Sequence, residues 1–277
     1  MLFFTLILLA VVQALTEFLP VSSSGHLVII QNLELFDDIF GNIDTSTELF
    51  IDIALHIATL VAVIIYLRAD IIYIVKGFFQ SVAKKEFSAP PVLMARNILI
   101  ACVPAGLVGV LAGEFLKSFY EALLPVFIFL IINGFILIST KKIPLKNRKI
   151  EEMGIIRSLM IGFFQAVAVL PGISRSGMTI TGGLLGGLAP NDSAKFSFLM
   201  AIPVIAGAGF LETVKAASNG FPQEIILPLL IAMAVAVVIA LLSLRLLFAI
   251  VKQVRINVFG YYTIVLGIVG ITYLLLK

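Results

Sequence analysis

Charge is what this chain has least of. Only 13% of its 277 residues are charged and 61% are hydrophobic, where a soluble domain carries roughly a quarter charged. A core of this size cannot hide so much apolar surface, so the shortage excludes an ordinary soluble domain and points to an all-α polytopic membrane protein. Cysteine is nearly absent too. The single Cys102 lies in an apolar run, which excludes an internal disulfide framework and leaves inert packing. The apolar first twelve residues have neither a basic flank nor a small-residue cleavage site, and are read as mature protein. A net charge of +3 does not suggest a nucleic-acid partner.

Apolar runs at 49–67, 97–111, 122–138, 196–211, 225–247 and 258–276 supply six candidate crossings, about nineteen residues being enough to span roughly 30 Å of hydrocarbon. The second and third are short and are expected to extend into their flanks. Pro104 and Pro203 fall inside spans, where kinks are the simple reading. Most of the 19 Lys and Arg residues crowd into three connections, 68–96, 141–157 and 245–255, and basic connections stay in the cytoplasm. Segment 31–48 carries Glu34, Asp37, Asp38, Asp44 and Glu48 with no Lys or Arg, so it is placed outside.

This pattern closes only if 155–188 enters and leaves on the cytoplasmic face and 1–30 does so on the outer face. Each half is then one re-entrant helix hairpin followed by three crossings, and the halves are inverted. The expectation is a single membrane domain over 1–277, with halves at about 1–140 and 155–277 joined by the basic loop 141–154. Shifting the chain by 152 positions sets Q-A-L-T-E-F-L-P-V-S-S-S-G at 13–25 on Q-A-V-A-V-L-P-G-I-S-R-S-G at 165–177, with five identities. Inverted repeats with broken helices place their site near the midplane.

Both broken segments are polar where lipid would forbid it. Ionisable groups at that depth face a cavity or a partner, and broken backbone is tolerated there only inside protein or beside water. The first segment offers Gln13, Glu17, Ser22, Ser23, Ser24 and His26; the second offers Gln165, Ser174, Arg175, Ser176, Gly177, Thr179 and Thr181. Gln13 and Glu17 share a helix face at i, i+4. Arg175, the only arginine within an apolar segment, needs an anion, and its planar fork suits phosphate. With Ser and Gly around it, this loop reads as an anion receiver, helped by a helix restarting near Thr179. The first loop reads as a reaction centre. Its serines need an adjacent base, which Glu17 or His26 supplies, the other protonating a leaving oxygen. Together they suggest phosphoryl transfer or hydrolysis on a lipid-borne phosphate.

Plainer accounts compete residue by residue. Ser, Thr and Gly in membrane helices are often close-packing residues, a serious rival for Ser22 or Ser176 alone. His56, in an unbroken crossing, reads more readily as a structural hydrogen-bonder than His26 does. Asp52, one turn earlier, reads as a boundary charge, and Lys195 as a cation snorkelling at its span end. For Arg175 the plain account is an internal salt bridge, with Glu17 its natural partner. The acid-phosphatase superfamily of lipid phosphatases also uses serine, histidine and arginine. It requires a histidine downstream of the arginine, and none follows His56 here.

At T-E-F-L-P-V-S-S-S-G-H (16–26) and L-P-G-I-S-R-S-G-M-T (170–179) the chain resembles the undecaprenyl-diphosphate phosphatase, or bacitracin-resistance, family. L-H-I-A-T-L-V-A-V (55–63) and F-S-F-L-M-A-I-P (196–203) lend weaker support. The resemblance implies a plasma-membrane enzyme with six crossings and two re-entrant hairpins. It would take the terminal phosphate from a polyprenyl diphosphate, the lipid that bacitracin also sequesters, and so recycle the carrier for cell-wall synthesis. Both termini and the active site would face outward, and a divalent cation, Mg or Ca, would assist. Carried over by motif, Glu17, Ser23, His26 and Arg175 are catalytic and Glu17 also meets the metal. Gln13, Ser22, Ser24, Ser174, Ser176, Gly177 and Thr179 hold substrate. Position 13 departs from the pattern, since family members often carry a second Glu there, and an amide is no base. Self-association into a homo-oligomer is compatible with this reading. The rival is a transporter or flippase for an anionic lipid, because inverted repeats with broken helices are also transporter architecture.

Overall fold

A computed structural model describes residues 2–32, 45–111, 119, 122–217 and 223–277. The acidic residues Glu34, Asp37, Asp38 and Asp44, expected outside, lie beyond those described. Among the described residues the chain is helical with no strand, as its apolar composition predicts for a membrane protein. The first half holds α1 (Leu2–Thr16), α2 (Ser23–Gln31), α3 (Thr45–Tyr66), α4 (Arg68–Ala83), α5 (Pro90–Leu111) and α6 (Leu123–Ser139). The second holds α7 (Ile155–Val167), α8 (Arg175–Leu185), α9 (Pro190–Ala217), α10 (Gln223–Lys252) and α11 (Val258–Leu276).

Five helices are long and apolar enough to cross a membrane, and α3 makes a sixth when joined to α4 across a 76° bend at Leu67. Of the two short spans, 97–111 extends into its flank, α5 starting at Pro90, seven residues before the apolar run, while 122–138 forms α6 with nearly the same bounds. Proline fits the first helical turn because the N–H it lacks has no partner there. The α4 helix was not legible as one, because its charges made 68–83 read as connection. In the structure it turns away from α3 and exposes Ile72, Tyr73, Val75 and Phe79, the pattern of a helix lying along an interface.

The helices pair in a reciprocal way. Helix α1 packs on α10 and α7 on α5; α3 also packs on α10 and α9 on α5; α3 meets α9, and α6 meets α11. Exchanging halves turns this list into itself. The α6–α11 contact is the closest. A Cβ added to Gly134 would lie 2.5 Å from the Gly260 carbonyl oxygen, and one added to Gly260 would lie 2.5 Å from that of Gly134. Without a hydrophobic drive in lipid, such small-residue contact lets dispersion hold the helices together. This rigid pair forms a wall behind the two helix breaks, at 17–22 and 168–174.

Candidate active site

Each break is rebuilt into a helix start by a serine. Ser22 Oγ accepts the Gly25 N–H at 3.2 Å at the head of α2, and Ser174 Oγ accepts the Gly177 N–H at 3.1 Å at the head of α8. These are N-caps, and they aim two helix N-termini, with their partial positive charge, at one place. The caps also tie the breaks together. Ser22 Oγ takes a second hydrogen bond from the Gly172 N–H at 3.0 Å. Asn133, fully buried on α6, donates to the Pro20 carbonyl at 3.2 Å and accepts the Ser174 N–H at 3.0 Å. Within the two breaks, two positions carry left-handed backbone: Ser22 at φ 70° and Gly172 at φ 101°. At 172 a side chain is excluded twice, since its Cβ would lie 2.5 Å from the Val126 carbonyl oxygen.

Between the two helix starts lies a cleft of about 190 Å³, lined by Glu17, Ser22, Ser23, Ser24, Ser174 and Arg175 together with Thr16, His56, Ala168, Ile173 and Ile205. It is smaller than the roughly 300–1,000 Å³ of drug-sized sites, so it suits a headgroup rather than a whole lipid. Glu17 stands at its centre. One carboxylate oxygen faces Arg175 Nη2 at 2.5 Å; the other accepts Ser23 Oγ–H at 2.7 Å and Gln13 Nε2–H at 3.0 Å. Gln13 therefore orients the carboxylate. The remaining terminal nitrogen of Arg175, Nη1, is buried without a hydrogen-bond partner. A buried donor left unpaired costs about 1–3 kcal/mol, more for a charged group, so this nitrogen is open to a further acceptor.

The structure gathers Gln13, Glu17, Ser22, Ser23, Ser24, Ser174 and Arg175, and the salt bridge expected between Glu17 and Arg175 is there. It distributes the others differently. Thr179 donates to the Arg175 carbonyl at 2.7 Å and lies 2.6 Å from the Ser197 hydroxyl, so it fastens α8 to α9. Ser176 is buried against Ser174 Oγ at 3.1 Å, and Gly177 lets Pro20 approach, its notional Cβ lying 3.1 Å from Pro20 Cβ. These three support the loop from behind.

The structure places the two histidines differently from expectation. His26 Nδ1 lies 2.7 Å from the Ser22 carbonyl, so it must carry the proton and donate. Its Nε2 then accepts the Tyr262 hydroxyl at 2.7 Å, and the two rings stack at 5.7 Å. His26 holds the backbone of Ser22 and does not line the cleft. His56 does. Its Nδ1 donates to the Asp52 carbonyl at 2.8 Å, which turns Nε2 toward Glu17 at 3.8 Å. Sequence reasoning treated His56 as structural because its helix is unbroken; its place within the 55–63 motif was the available signal. Asn133 was missed outright, and the signal was a lone amide inside a seventeen-residue apolar helix.

A resident metal does not fit these donors. Among the described residues no group of three or more His, Cys, Asp or Glu side chains comes together, and both oxygens of Glu17 are engaged.

Helices of this length and apolarity, with an ion pair and hydroxyls held between two helix starts, define a multi-pass membrane protein with a polar cleft among its helices. The chain belongs to the bacitracin resistance protein BacA family, whose model matches residues 6–269. It is 38% identical over 272 residues to an undecaprenyl-diphosphatase of Rubrobacter xylanophilus, covering 98% of this chain and 97% of the relative. Others carrying that name come from Halothermothrix orenii, 36% identical over 265 residues (96% and 95% covered), and Methanosphaera stadtmanae, 33% over 275 (96% and 95%).

Proposed function

We propose that the protein hydrolyses undecaprenyl diphosphate to undecaprenyl phosphate and inorganic phosphate. The observation that carries this is the shared carboxylate: Glu17 accepts the Ser23 hydroxyl on one oxygen while Arg175 holds the other. A diphosphate entering the cleft competes for Arg175 and also satisfies its unpaired Nη1. Glu17, relieved of its counter-charge, becomes a better base for the Ser23 proton. Ser23 Oγ then forms a bond to the terminal phosphorus as the bridging P–O bond breaks, and undecaprenyl phosphate leaves. Water next attacks the phosphoserine and gives its proton to Nε2 of His56, the P–Oγ bond breaks as Glu17 returns its proton to Ser23 Oγ, and phosphate is released. The two helix N-termini and Arg175 stabilise charge on the transferring oxygens, in keeping with phosphoryl transfer that relies on positioning and electrostatics.

The divalent cation belongs in this scheme as a companion of the diphosphate, entering as part of the substrate. Mg²⁺ commonly binds through few carboxylates plus substrate phosphates. For topology the reading is an inverted repeat of about 1–140 and 155–277 in a plasma membrane, with α1–α2 and α7–α8 as re-entrant hairpins and the cleft outward. The exchange-symmetric helix pairing and the matched serine caps support it. The transporter alternative is disfavoured by the names of the relatives and by the hydroxyl–carboxylate contact, which binding alone does not need.

Phosphate release from undecaprenyl diphosphate by the purified protein in detergent tests the reading. Stoichiometric lipid binding or movement with no phosphate released would replace it with transport. Chelating divalent cations is expected to slow turnover while leaving the thermal midpoint of the unliganded protein unchanged, since among the described residues no group of three or more acidic, His or Cys side chains comes together to hold the ion.

A further inference from the structure

A second polar cleft opens along the same two helices that flank the first. Ten residues beyond His56 on α3 and ten before Ile205 on α9, about 15 Å along either helix, Tyr66, Asp70, Asn191, Lys195, Arg245 and Lys252 line a cavity of about 480 Å³. Lys195 does not simply snorkel, as its position suggested: its Nζ pairs with Asp70 Oδ1 at 2.6 Å. That pair consumes the only acid lining the cavity. Arg245 and Lys252, seven residues apart on one face of α10, line it as well, and among the described residues neither forms an ion pair. The cavity thus carries two uncompensated positive charges.

Its surroundings say what kind of anion fits. The floor is aromatic, with the Tyr66 and Phe248 rings 5.2 Å apart. Beside it α4 departs at 76° from α3 with its apolar side chains exposed, so the cavity sits where a membrane's headgroups would lie. Below Arg245 the same face of α10 continues as exposed Leu242 and Val238, an apolar track leading away from the cations. Charge above and an acyl-sized apolar stripe beneath have the shape of a lipid. Basic pockets between membrane helices at this depth are known to take anionic headgroups.

We propose that this cavity is a binding site for the phosphate headgroup of an anionic phospholipid, with Arg245 and Lys252 as its ligands and the acyl chain lying on Leu242 and Val238. It is separate from the reactive cleft and independent of the chemistry there.

The test uses delipidated full-length protein in uncharged detergent. Binding of phosphatidylglycerol and phosphatidylcholine is measured by native mass spectrometry, with inorganic phosphate as competitor. Phosphatidylglycerol is expected to bind roughly ten- to thirtyfold tighter than phosphatidylcholine, the preference that two interfacial cations confer. R245Q/K252Q should lose that preference while retaining helical circular dichroism and turnover. If the double variant does not fold, R245Q and K252Q singly should each lose part of it. Equal binding of both lipids, or a preference that survives the substitutions, overturns the site. Displacement of phosphatidylglycerol by millimolar inorganic phosphate overturns the lipid assignment in favour of the free anion.

Discussion

The loops at 17–22 and 168–174 are built on one plan and do different work. Each ends in a serine that caps a helix through the glycine three residues on, and each places a second hydroxyl beside that cap: Ser24 lies 3.4 Å from Ser22, and Ser176 lies 3.1 Å from Ser174. Even their approach is reciprocal, with Gly25 against Gly172 and Gly177 against Pro20. The differences fall elsewhere. Where the first loop has Glu17 and Ser23, the second has, 152 positions on, Val169 and Arg175. The residues the loops share build the framework and part of the cleft wall, and those they do not share supply its charges. A two-fold arrangement alone cannot set a carboxylate and its bound hydroxyl against a cation; the divergence does.

The sharpest way to break this comparison is to erase its reactive side. Ser23→Ala leaves both caps intact and removes the hydroxyl bound to Glu17. Phosphate release should fall by about four orders of magnitude or more, as when a nucleophile is deleted. Activity within tenfold of wild type would hand the attack to water. On the receiving side, Arg175→Lys keeps the charge but loses the fork that spans Glu17 and a phosphate. Turnover should drop by about 10²–10³, with the substrate KM also raised; an unchanged rate would remove Arg175 from phosphate binding.

The histidines sharpen the comparison from outside the loops. His56→Gln should lower kcat by about a hundredfold, the usual scale of a proton-transfer group, with thermal stability little changed. His26→Gln should act through Ser22 and lower both the thermal midpoint and kcat. If His26→Gln proved the purely kinetic one, the roles would be reversed. The smallest expected effect on rate comes from the strut between the loops. Asn133→Leu leaves the Pro20 carbonyl and the Ser174 N–H buried and unpaired, at about 1–3 kcal/mol each, so the thermal midpoint should fall clearly. Loss of turnover should be about tenfold, by the general sensitivity of catalysis to misplacement. Asn133→Asp keeps the acceptor and should recover part of the activity. An Asn133→Leu protein with wild-type melting and rate would show that the loops hold themselves together.

Much of this was legible in the sequence because lipid is a severe solvent. Apolar runs had to be helices, and Glu17 and Arg175, both alone in apolar surroundings, had to find each other. The break positions were legible from Pro and Gly, and the caps from Ser followed by Gly. Helix α4 was less so: an interfacial helix has half its face charged, and that pattern also describes a loop. His56 and Asn133 escaped for a different reason. Both sit in regular helices whose rotation about their axes decides what they face, and one sequence does not fix that rotation. The supporting roles of Thr179, Ser176 and Gly177 were hidden likewise, because the resemblance groups residues by motif and not by the side of the loop they occupy.

The ion pair at the centre of the cleft joins residues 158 positions apart. At ribosomal rates of about 5–20 residues per second, Glu17 is synthesised roughly ten to thirty seconds before Arg175. During that interval the nascent first half holds an acid in an apolar setting with no counter-ion, an expensive arrangement. The two amino-terminal helices are therefore made first but gain this partner only when the second half arrives. Their final docking waits on a segment still inside the ribosome, so the catalytic cleft cannot form before most of the chain exists.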